Sequence, residues 1–460
     1  MFTVLYFFTE ERWGENGRFG KTDKKNDELK VGKPYQYLWI IICGALFGLI
    51  PMGIQGSCLG VYYTALSETF SVPVSSISLY ITIGGIGLII CYPLVGKLYA
   101  KYDLRHCLAV FVILYGIVLF VASQAPNQPT FVICGALLVV GSCMIFNLGM
   151  PTLINRWFKD YSGTIIGICA AMTGFGGTVL IPVGSAVMQS GVDYHTPFIV
   201  YGIITIVVLL PIVLFGIRSY PADRGLLPYV SKKTVNSMGS AAEAVKEKNW
   251  TVDVSKTMKT SAFWTFVIGL GLANFVVLVT RFFATSVNDL ASAGVAVFVS
   301  GAVLATCLST GQGIAKLIMG FFTDLIKAGP VVVVASISGI ICLLLIWFCP
   351  TNFLLPVGGF GFGFYYCSVS VLGPIIAGKL FGTGENYSII FSRANSIASI
   401  FVLPAGAAWP WIAENFGGYG TAFALAIAMI VLFAICWLAA LRTGHKIEHV
   451  EDTTTVVDAQ

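Results

Sequence analysis

Apolar runs of about 20 residues or more follow one another along the chain, and short polar segments separate them. A helix that crosses the hydrocarbon core of a bilayer needs about 20 mostly apolar residues. The pattern therefore predicts twelve membrane-spanning helices, six before the polar stretch 218–261 and six after it. The predicted spans lie near residues 38–65, 74–96, 107–125, 129–150, 163–188, 196–217, 262–286, 293–322, 331–349, 354–378, 386–412 and 420–441.

The composition supports this picture and excludes a soluble protein. Hydrophobic residues make up 57% of the chain and charged residues only 11%, with a mean hydropathy of +0.84. An ordinary globular chain is about 25% charged because its surface faces water. A soluble enzyme and a nucleic-acid-binding protein are therefore excluded. The twelve cysteines include no C-x-x-C pair, and most sit in apolar runs, so we expect neither a metal site nor a cofactor.

The positive charges predict an orientation. Of the 27 Lys and Arg residues, 24 fall in the two tails, the central linker and the loops on one side, and the opposite loops hold none. By the positive-inside rule, both termini and the linker are cytoplasmic in a cell membrane. We also expect the tails and the linker to be loosely ordered. The predicted organisation is an N-terminal tail (1–37), a first bundle (38–217), a linker (218–261), a second bundle (262–441) and a C-terminal tail (442–460).

The two halves of the sequence repeat each other at an offset of 224 positions. The segment Gly96–Asp103 closes the second span and Gly320–Asp324 closes the eighth, while Tyr161-Ser162 recurs near that offset as Tyr387-Ser388. A six-plus-six duplication around a polar linker resembles the major facilitator superfamily. The resemblance implies an all-α membrane protein of twelve transmembrane helices in two pseudo-symmetric six-helix bundles, which rock about a substrate site near the bilayer midplane.

The first of these segments is similar to the loop motif of that superfamily between spans two and three. Ala100 stands where the motif has Asp, Asp103 stands where it has Gly, and the second copy keeps the acid as Asp324. The resemblance implies a conformational latch, although ordinary loop charges are an alternative interpretation. The latch residues would be Gly96, Lys101, Asp103, Arg105, Gly320 and Asp324.

Three cations are left inside the predicted spans, namely Arg281, Lys316 and Arg393, whereas all 22 Asp and Glu residues map to tails, linker or loops. Each Lys or Arg at the centre of a membrane helix costs about 2.5–3.5 kcal/mol on the insertion scale. Without a carboxylate partner, such a charge needs a water-filled cavity, a carbonyl group or an anionic ligand. The pattern therefore predicts a cavity that receives an anion.

Depth separates the three cations. Lys316 and Arg393 each lie eight residues from a cytoplasmic boundary, roughly 12 Å along a helix, so both are near the midplane. We expect them to converge on one carboxylate, which Arg grips through its planar fork and Lys attracts as a point charge. Arg281 lies near the outer mouth, where its side chain can instead reach water.

Several segments look like the monocarboxylate transporter and oxalate:formate antiporter branch of the superfamily. These are Gly60-Val-Tyr-Tyr63 in span one, Asn155-Arg-Trp-Phe158 before span five and Lys316-Leu-Ile-Met-Gly320 in span eight. The resemblance implies that Lys316 takes the place of the Arg that contacts the substrate carboxylate. It also places Arg393 within about a residue of the span-eleven Lys that the antiporters use.

Two departures from that branch bear on coupling. Ser57 stands where proton-coupled members have a Lys, and Gln312 stands where they have an Asp. The resemblance therefore favours anion exchange or uniport over proton symport.

Uncharged polar residues are candidates for the rest of the site, although packing or hydrogen bonding between helices is the favoured interpretation for any single one of them. The sequence as a whole predicts a transporter of small mono- or dicarboxylates that functions as a monomer. A facilitator-type exporter of amphiphilic or neutral solutes and a non-transporting membrane receptor are the alternatives. The uncharged candidates are Gln55, Tyr62, Tyr63, Asn147, Asn274, Gln312, Tyr365 and Tyr366.

Overall fold

A computed structural model describes residues 32–62, 66, 69–72, 74–189, 195–238, 240–444 and 450–451. Within these residues the chain is largely helical, and eleven helices are long and apolar enough to cross a membrane. The remaining predicted span, the fifth, is the helix Ser162–Gln189, and its apolar part is described over Ser162–Gly177. The predicted all-α membrane fold with twelve spans is confirmed.

The first bundle contains spans 1 to 6. Proline residues interrupt some of its helices, and wider or tighter turns take up the change, as at Pro51 in span 1. Span 1 comprises Pro34–Phe47, Gly48–Met52, Ile54–Cys58 and Leu59–Tyr62; span 2, Val74–Lys101; span 3, Leu104–Ser123; span 4, Gln128–Cys143, Met144–Gly149 and Met150–Trp157; span 5, Ser162–Gln189; and span 6, His195–Ile204, Thr205–Leu209 and Ile212–Gly216.

The second bundle contains spans 7 to 12. Thr260 and Ser300 begin spans 7 and 8, because their hydroxyl groups accept hydrogen bonds from the backbone amides of Phe263 and Val303. Span 7 comprises Ser261–Val277 and Leu278–Phe282, followed by the helix Phe283–Ser292; span 8, Gly301–Leu325; span 9, Ala328–Phe348; span 10, Leu354–Cys367, Ser368–Leu372 and Gly373–Phe381; span 11, Tyr387–Asn415; and span 12, Tyr419–Thr443.

The linker is more ordered than the sequence suggested. Asp160 accepts hydrogen bonds from the amide of Ser231 (2.8 Å) and the hydroxyl of Thr234 (2.7 Å), which ties the linker to the end of span 4. Strand β1 (Trp250–Thr251) pairs antiparallel with strand β2 (Val450–Glu451). Polar side chains thus organise this segment together with a small apolar cluster around Val230, Ala244 and Val245. Its helices are Pro221–Arg224, Lys232–Met238, Ala241–Lys248 and Val254–Thr257.

The two bundles meet along spans 2 and 11 and along spans 5 and 8. Gly167 and Gly320 allow the second of these contacts, because a Cβ atom on Gly167 would lie 2.6 Å from the carbonyl oxygen of Lys316, and one on Gly320 would lie 2.7 Å from the Cα of Gly167. We call the face of the molecule that carries the linker the linker side. The glycine contacts bring spans 5 and 8 together on this side and up to the level of Lys316.

Candidate substrate-binding site

Lys316 lies where the two bundles meet. Its side chain is only 2% exposed, and its Nζ donates a hydrogen bond to the hydroxyl oxygen of Thr173 in span 5, at 2.8 Å. The same ammonium group lies 5.4 Å from the ring centre of Tyr366 in span 10, within the range of a cation–π contact. Three spans from both bundles therefore converge on one cation.

The partners of this ammonium group are uncharged. Spans 5, 9 and 10 pack against span 8, and none of them contains Asp or Glu. The helix Phe283–Ser292 also packs there and carries Asp289, which is exposed. A lysine has three N–H donors, and the described contacts give this one a single hydrogen-bond acceptor. The arrangement can accept a small group that carries negative charge and oxygen atoms.

Arg281 lies on the far side of Tyr366 from the linker side. It is exposed at the end of span 7. Beyond Lys316 along span 8, the polar side chains of Thr306 and Ser309 are also exposed. Exposed polar side chains therefore lie on the side of the buried cation that is opposite the linker.

Arg393 does not join Lys316 in this structure. Its Nη1 donates to the sulfur atom of Met258 at 2.7 Å, and Met258 lies just before span 7 on the linker side. The reason is the direction of the helices. Side chains on a helix tilt toward its N-terminus, and span 11 begins on the linker side, whereas span 8 ends there. Side chains at equal depth on these two spans consequently point apart.

Tyr62 and Tyr365 pack inside their own bundles. The Tyr62 hydroxyl group shares a 2.7 Å hydrogen bond with that of Tyr201, and the Tyr62 side chain is 1% exposed. Tyr365 is fully buried among rings that include Phe362 and Phe433, at centroid distances of 5.4 and 5.5 Å. The packing interpretation of these two residues therefore describes their contacts in this structure.

Of the other uncharged candidates, two bond within their own helices and one contacts Lys316. Asn147 donates to the sulfur atom of Cys143 and Asn274 donates to the carbonyl oxygen of Leu270, so both bond within their own helices. Gln55 and Gln312 are half-buried, and the Tyr366 side chain touches Lys316. Tyr63 lies outside the described residues.

Thr173 is a contact of Lys316 that sequence reasoning missed. A single hydroxyl group in an apolar run carries no distinctive pattern. One signal was available, because Gly174, Gly176 and Gly177 follow directly and mark a face of span 5 that approaches a neighbour closely.

The predicted latch residues of the second copy connect the two bundles. Asp324 accepts hydrogen bonds from the backbone amides of Gly163 (3.0 Å) and Thr164 (2.6 Å) at the start of span 5. Gly320 lies against Gly167 of the same span. These contacts fit a latch that is closed on the linker side.

The first copy is built differently. Gly96 does touch the other bundle, since its carbonyl oxygen accepts a hydrogen bond from the hydroxyl of Ser388 at 3.1 Å. Asp103 instead caps span 3 of its own bundle. Burial opposes ionisation of Asp103, but hydrogen bonds from His106, Ser219 and the Arg105 amide hold its pKa well below the ordinary value. The first copy therefore contacts the other bundle through Gly96 and Ser388, while the contacts of Asp103 lie within its own bundle.

Lys101 and Arg105 also make their described contacts within the first bundle. The Lys101 ammonium group lies 5.5 Å from the ring centre of Tyr102, and the Arg105 guanidinium contacts the ring of His106 at 3.1 Å. The structure therefore brings the two bundles together through Gly96, Gly320 and Asp324, and not through Lys101, Asp103 or Arg105.

Known proteins share this sequence pattern and fold. The uncharacterized MFS-type transporter YhjX of Escherichia coli is 21% identical over 370 residues, which cover 77% of this chain and 84% of that protein. The uncharacterized MFS-type transporter YfiU of Bacillus subtilis is 27% identical over 169 residues, which cover 37% of this chain and only 32% of that protein.

A solved structure gives the fold independently. The proton:xylose symporter XylE, bound to 6-bromo-6-deoxy-D-glucose, matches with a TM-score of 0.68 at 14% identity, over 88% of this chain and 96% of that one. At this identity the likeness concerns the fold alone. The family model of the Major Facilitator Superfamily matches residues 45–305, more than half of the chain. The chain is therefore a multi-pass membrane transporter that belongs to the major facilitator superfamily.

Proposed function

We propose that this transporter carries small organic anions, mono- or dicarboxylates, by alternating access. The observation that carries the proposal is the Lys316 ammonium group, which is buried between the bundles and, among the described residues, contacts a hydroxyl group and an aromatic ring but no carboxylate. A buried charge without a counter-charge costs several kcal/mol. A bound carboxylate would remove that cost, and the resemblance to carboxylate transporters at Lys316–Gly320 supports the same ligand.

The distribution of Lys and Arg predicts from which side of the membrane the anion enters. With the linker side in the cytoplasm, as the distribution of Lys and Arg predicts, the described contacts close the cytoplasmic side of the transporter. The anion would then approach from outside, past the exposed Thr306, Ser309 and Arg281, to the buried Lys316. Arg281 is a first point of attraction on this path, and Tyr366 lies between it and Lys316.

Exchange or uniport is the mode that the residues favour. Classical proton symport uses a carboxylate that binds and releases the coupling proton within the membrane. Position 312 holds Gln, and the spans around Lys316 provide no Asp or Glu. Arg393, directed toward Met258, would meet the anion on its way to the cytoplasm and not at the Lys316 site.

Counterflow in proteoliposomes tests the proposal. Vesicles loaded with unlabelled oxalate, formate, lactate or pyruvate should accumulate the labelled form of at least one of them. Lys316→Gln should abolish this uptake, because the neutral side chain cannot pair with the carboxylate. Lys327→Gln, which removes an exposed lysine on the linker side, is the matched control and should transport normally.

Two outcomes would contradict the proposal. Undiminished uptake by folded Lys316→Gln protein would show that this charge does not bind the substrate. Flux of a lipophilic cation, with no flux of any carboxylate, would favour the amphiphile exporter instead.

A further inference from the structure

We infer that Thr173 is a positioning residue for transport: its hydrogen bond to Lys316 restrains the empty transporter, and the anion must displace it. The inference rests on the proposed function. It concerns which form of the transporter can open on the linker side. The hydrogen bond between Thr173 and Lys316 would therefore be the reason that anion exchange is faster than net anion efflux.

The geometry makes the Thr173 hydroxyl group a stand-in for an anionic oxygen. Its Oγ1 donates its own hydrogen to the carbonyl oxygen of Ala170 at 2.8 Å, as hydroxyls on helices commonly do. The oxygen is then left as an acceptor, and it accepts from Lys316 Nζ at 2.8 Å. A carboxylate oxygen offers the same ammonium group a charged and therefore stronger acceptor.

The contact also spans the interface between the bundles. Thr173 belongs to span 5 and Lys316 to span 8, and these spans are in contact from the Asp324 cap at Gly163 onward. Thr173 lies ten residues after Gly163, about 15 Å further along the helix. Opening the linker side separates spans 5 and 8, so it breaks this hydrogen bond.

Loaded and empty transporters then differ in whether the Lys316 ammonium group keeps a partner when the linker side opens. Without an anion, separation removes the one described hydrogen-bond acceptor of a buried ammonium group, and the open state is penalised. With an anion on Lys316, the charge keeps its partner while the spans separate. The empty transporter should therefore change state more slowly than the loaded one, and exchange should exceed net efflux.

Efflux measurements test this coupling directly. Vesicles loaded with labelled oxalate are diluted into buffer with or without unlabelled oxalate, and the ratio of the two efflux rates is measured. Thr173→Val keeps the side-chain shape and removes the acceptor, so net efflux should rise and the ratio should fall about tenfold, the typical weight of a hydrogen bond to a charged group. The apparent affinity for oxalate should rise as well, because the Thr173 hydroxyl oxygen no longer competes with oxalate for the Lys316 ammonium group. Another carboxylate that gave the larger signal in counterflow would replace oxalate.

Two further variants separate this role from a merely structural one. Thr173→Ser restores the acceptor and should restore the wild-type ratio. Thr205→Val removes a buried threonine hydroxyl group of the same bundle, which bonds only to its own helix at the Tyr201 carbonyl oxygen, and should leave the ratio unchanged. If Thr173→Val does not fold, Thr173→Ala makes the same comparison.

Hydrogen exchange distinguishes failure of the inference from failure of the proposed function. In the absence of any anion, amides in 161–175 and 313–326 should exchange faster in Thr173→Val than in the wild type. If this result is obtained but the wild type shows no carboxylate flux, the Thr173–Lys316 hydrogen bond does restrain the transporter, and the proposal that a carboxylate is the substrate is rejected. Wild-type carboxylate exchange with an unchanged efflux ratio in Thr173→Val, or with a lower oxalate affinity, would overturn the inference alone.

Discussion

Asp324 of one bundle caps the helix that contains Thr164 of the other. One carboxylate oxygen of Asp324 accepts hydrogen bonds from both the backbone amide and the hydroxyl group of Thr164, at 2.6 and 2.7 Å. The first amides of a helix have no partner within the helix, and their end of the helix dipole favours a negative charge. Here that partner comes from a different rigid unit, so the cap exists only while the linker side is closed.

Asp324→Asn should weaken the closed state by about 1–2 kcal/mol, because the amide side chain keeps the shape of the carboxylate but loses its charge. The linker-side-open state should become more populated in the absence of substrate. Hydrogen exchange of the amides in 162–168 should be correspondingly faster than in the wild type.

Asp103→Asn is the matched control for this experiment. Asp103 also caps a helix, but that helix is span 3 of its own bundle. The control should leave exchange at 162–168 unchanged. Equal protection of 162–168 in Asp324→Asn and wild type would contradict the idea that the cap holds the bundles together.

The sequence predicted the spans because lipid imposes a length and an apolar composition on each of them. It also predicted that Asp324 belongs to a latch between the bundles, because the repeat placed this residue at the end of span 8, where the second copy of the loop motif lies. It did not predict the direction of the Arg393 side chain, since depth along a helix says nothing about direction. Lys316 and Arg393 have similar depth, yet their helices run in opposite directions and their side chains diverge.

Residue type alone could not separate the two adjacent tyrosines of span 10. Tyr365 is buried within its bundle, while Tyr366 contacts Lys316. Neighbouring positions on a helix face directions about 100° apart, and only the arrangement of the surrounding spans decides which face meets the other bundle. Thr173 was missed for the same reason.

Lys316→Gln and Arg393→Gln should have unequal effects on carboxylate exchange. We expect Lys316→Gln to eliminate exchange and Arg393→Gln to reduce it by no more than several-fold, because the Arg393 guanidinium is bound to Met258 on the linker side. Counterflow of the labelled carboxylate measures both. Complete loss in Arg393→Gln, with the protein still folded, would contradict this prediction and show that exchange depends on Arg393 as strongly as on Lys316.

Tyr62→Phe should affect stability and leave transport nearly intact. The substitution removes the hydrogen bond between the hydroxyl groups of Tyr62 and Tyr201 inside the first bundle. The expected loss in unfolding free energy is about 1 kcal/mol, measured by thermal unfolding in detergent. Tyr35→Phe removes an exposed hydroxyl group and serves as the control with no expected change. A large loss of transport with unchanged stability would instead support the site interpretation of Tyr62.

Docking of the linker should depend on the charge of Asp160. Burial opposes ionisation of this carboxyl group, but hydrogen bonds from Lys248, Ser231 and Thr234 outweigh it and lower its pKa. A group whose pKa is lowered by folding stabilises the folded form above its ordinary pKa, about 4 for Asp, and that contribution is lost as the pH falls further. The linker should therefore be docked at neutral pH and loosen in acid.

Asp160→Asn should reproduce the acid effect at neutral pH. Protection of the amides in 229–238 against hydrogen exchange, relative to an unfolded reference at the same pH, should fall about tenfold. The Ser231 amide, which Asp160 binds directly, should respond most strongly. Glu243→Gln removes a linker carboxylate whose hydrogen bond to Ser240 is exposed, and should leave 229–238 protected. Equal protection in Asp160→Asn and wild type would mean that backbone contacts such as that of Lys159 with the Tyr229 carbonyl oxygen suffice to hold the linker.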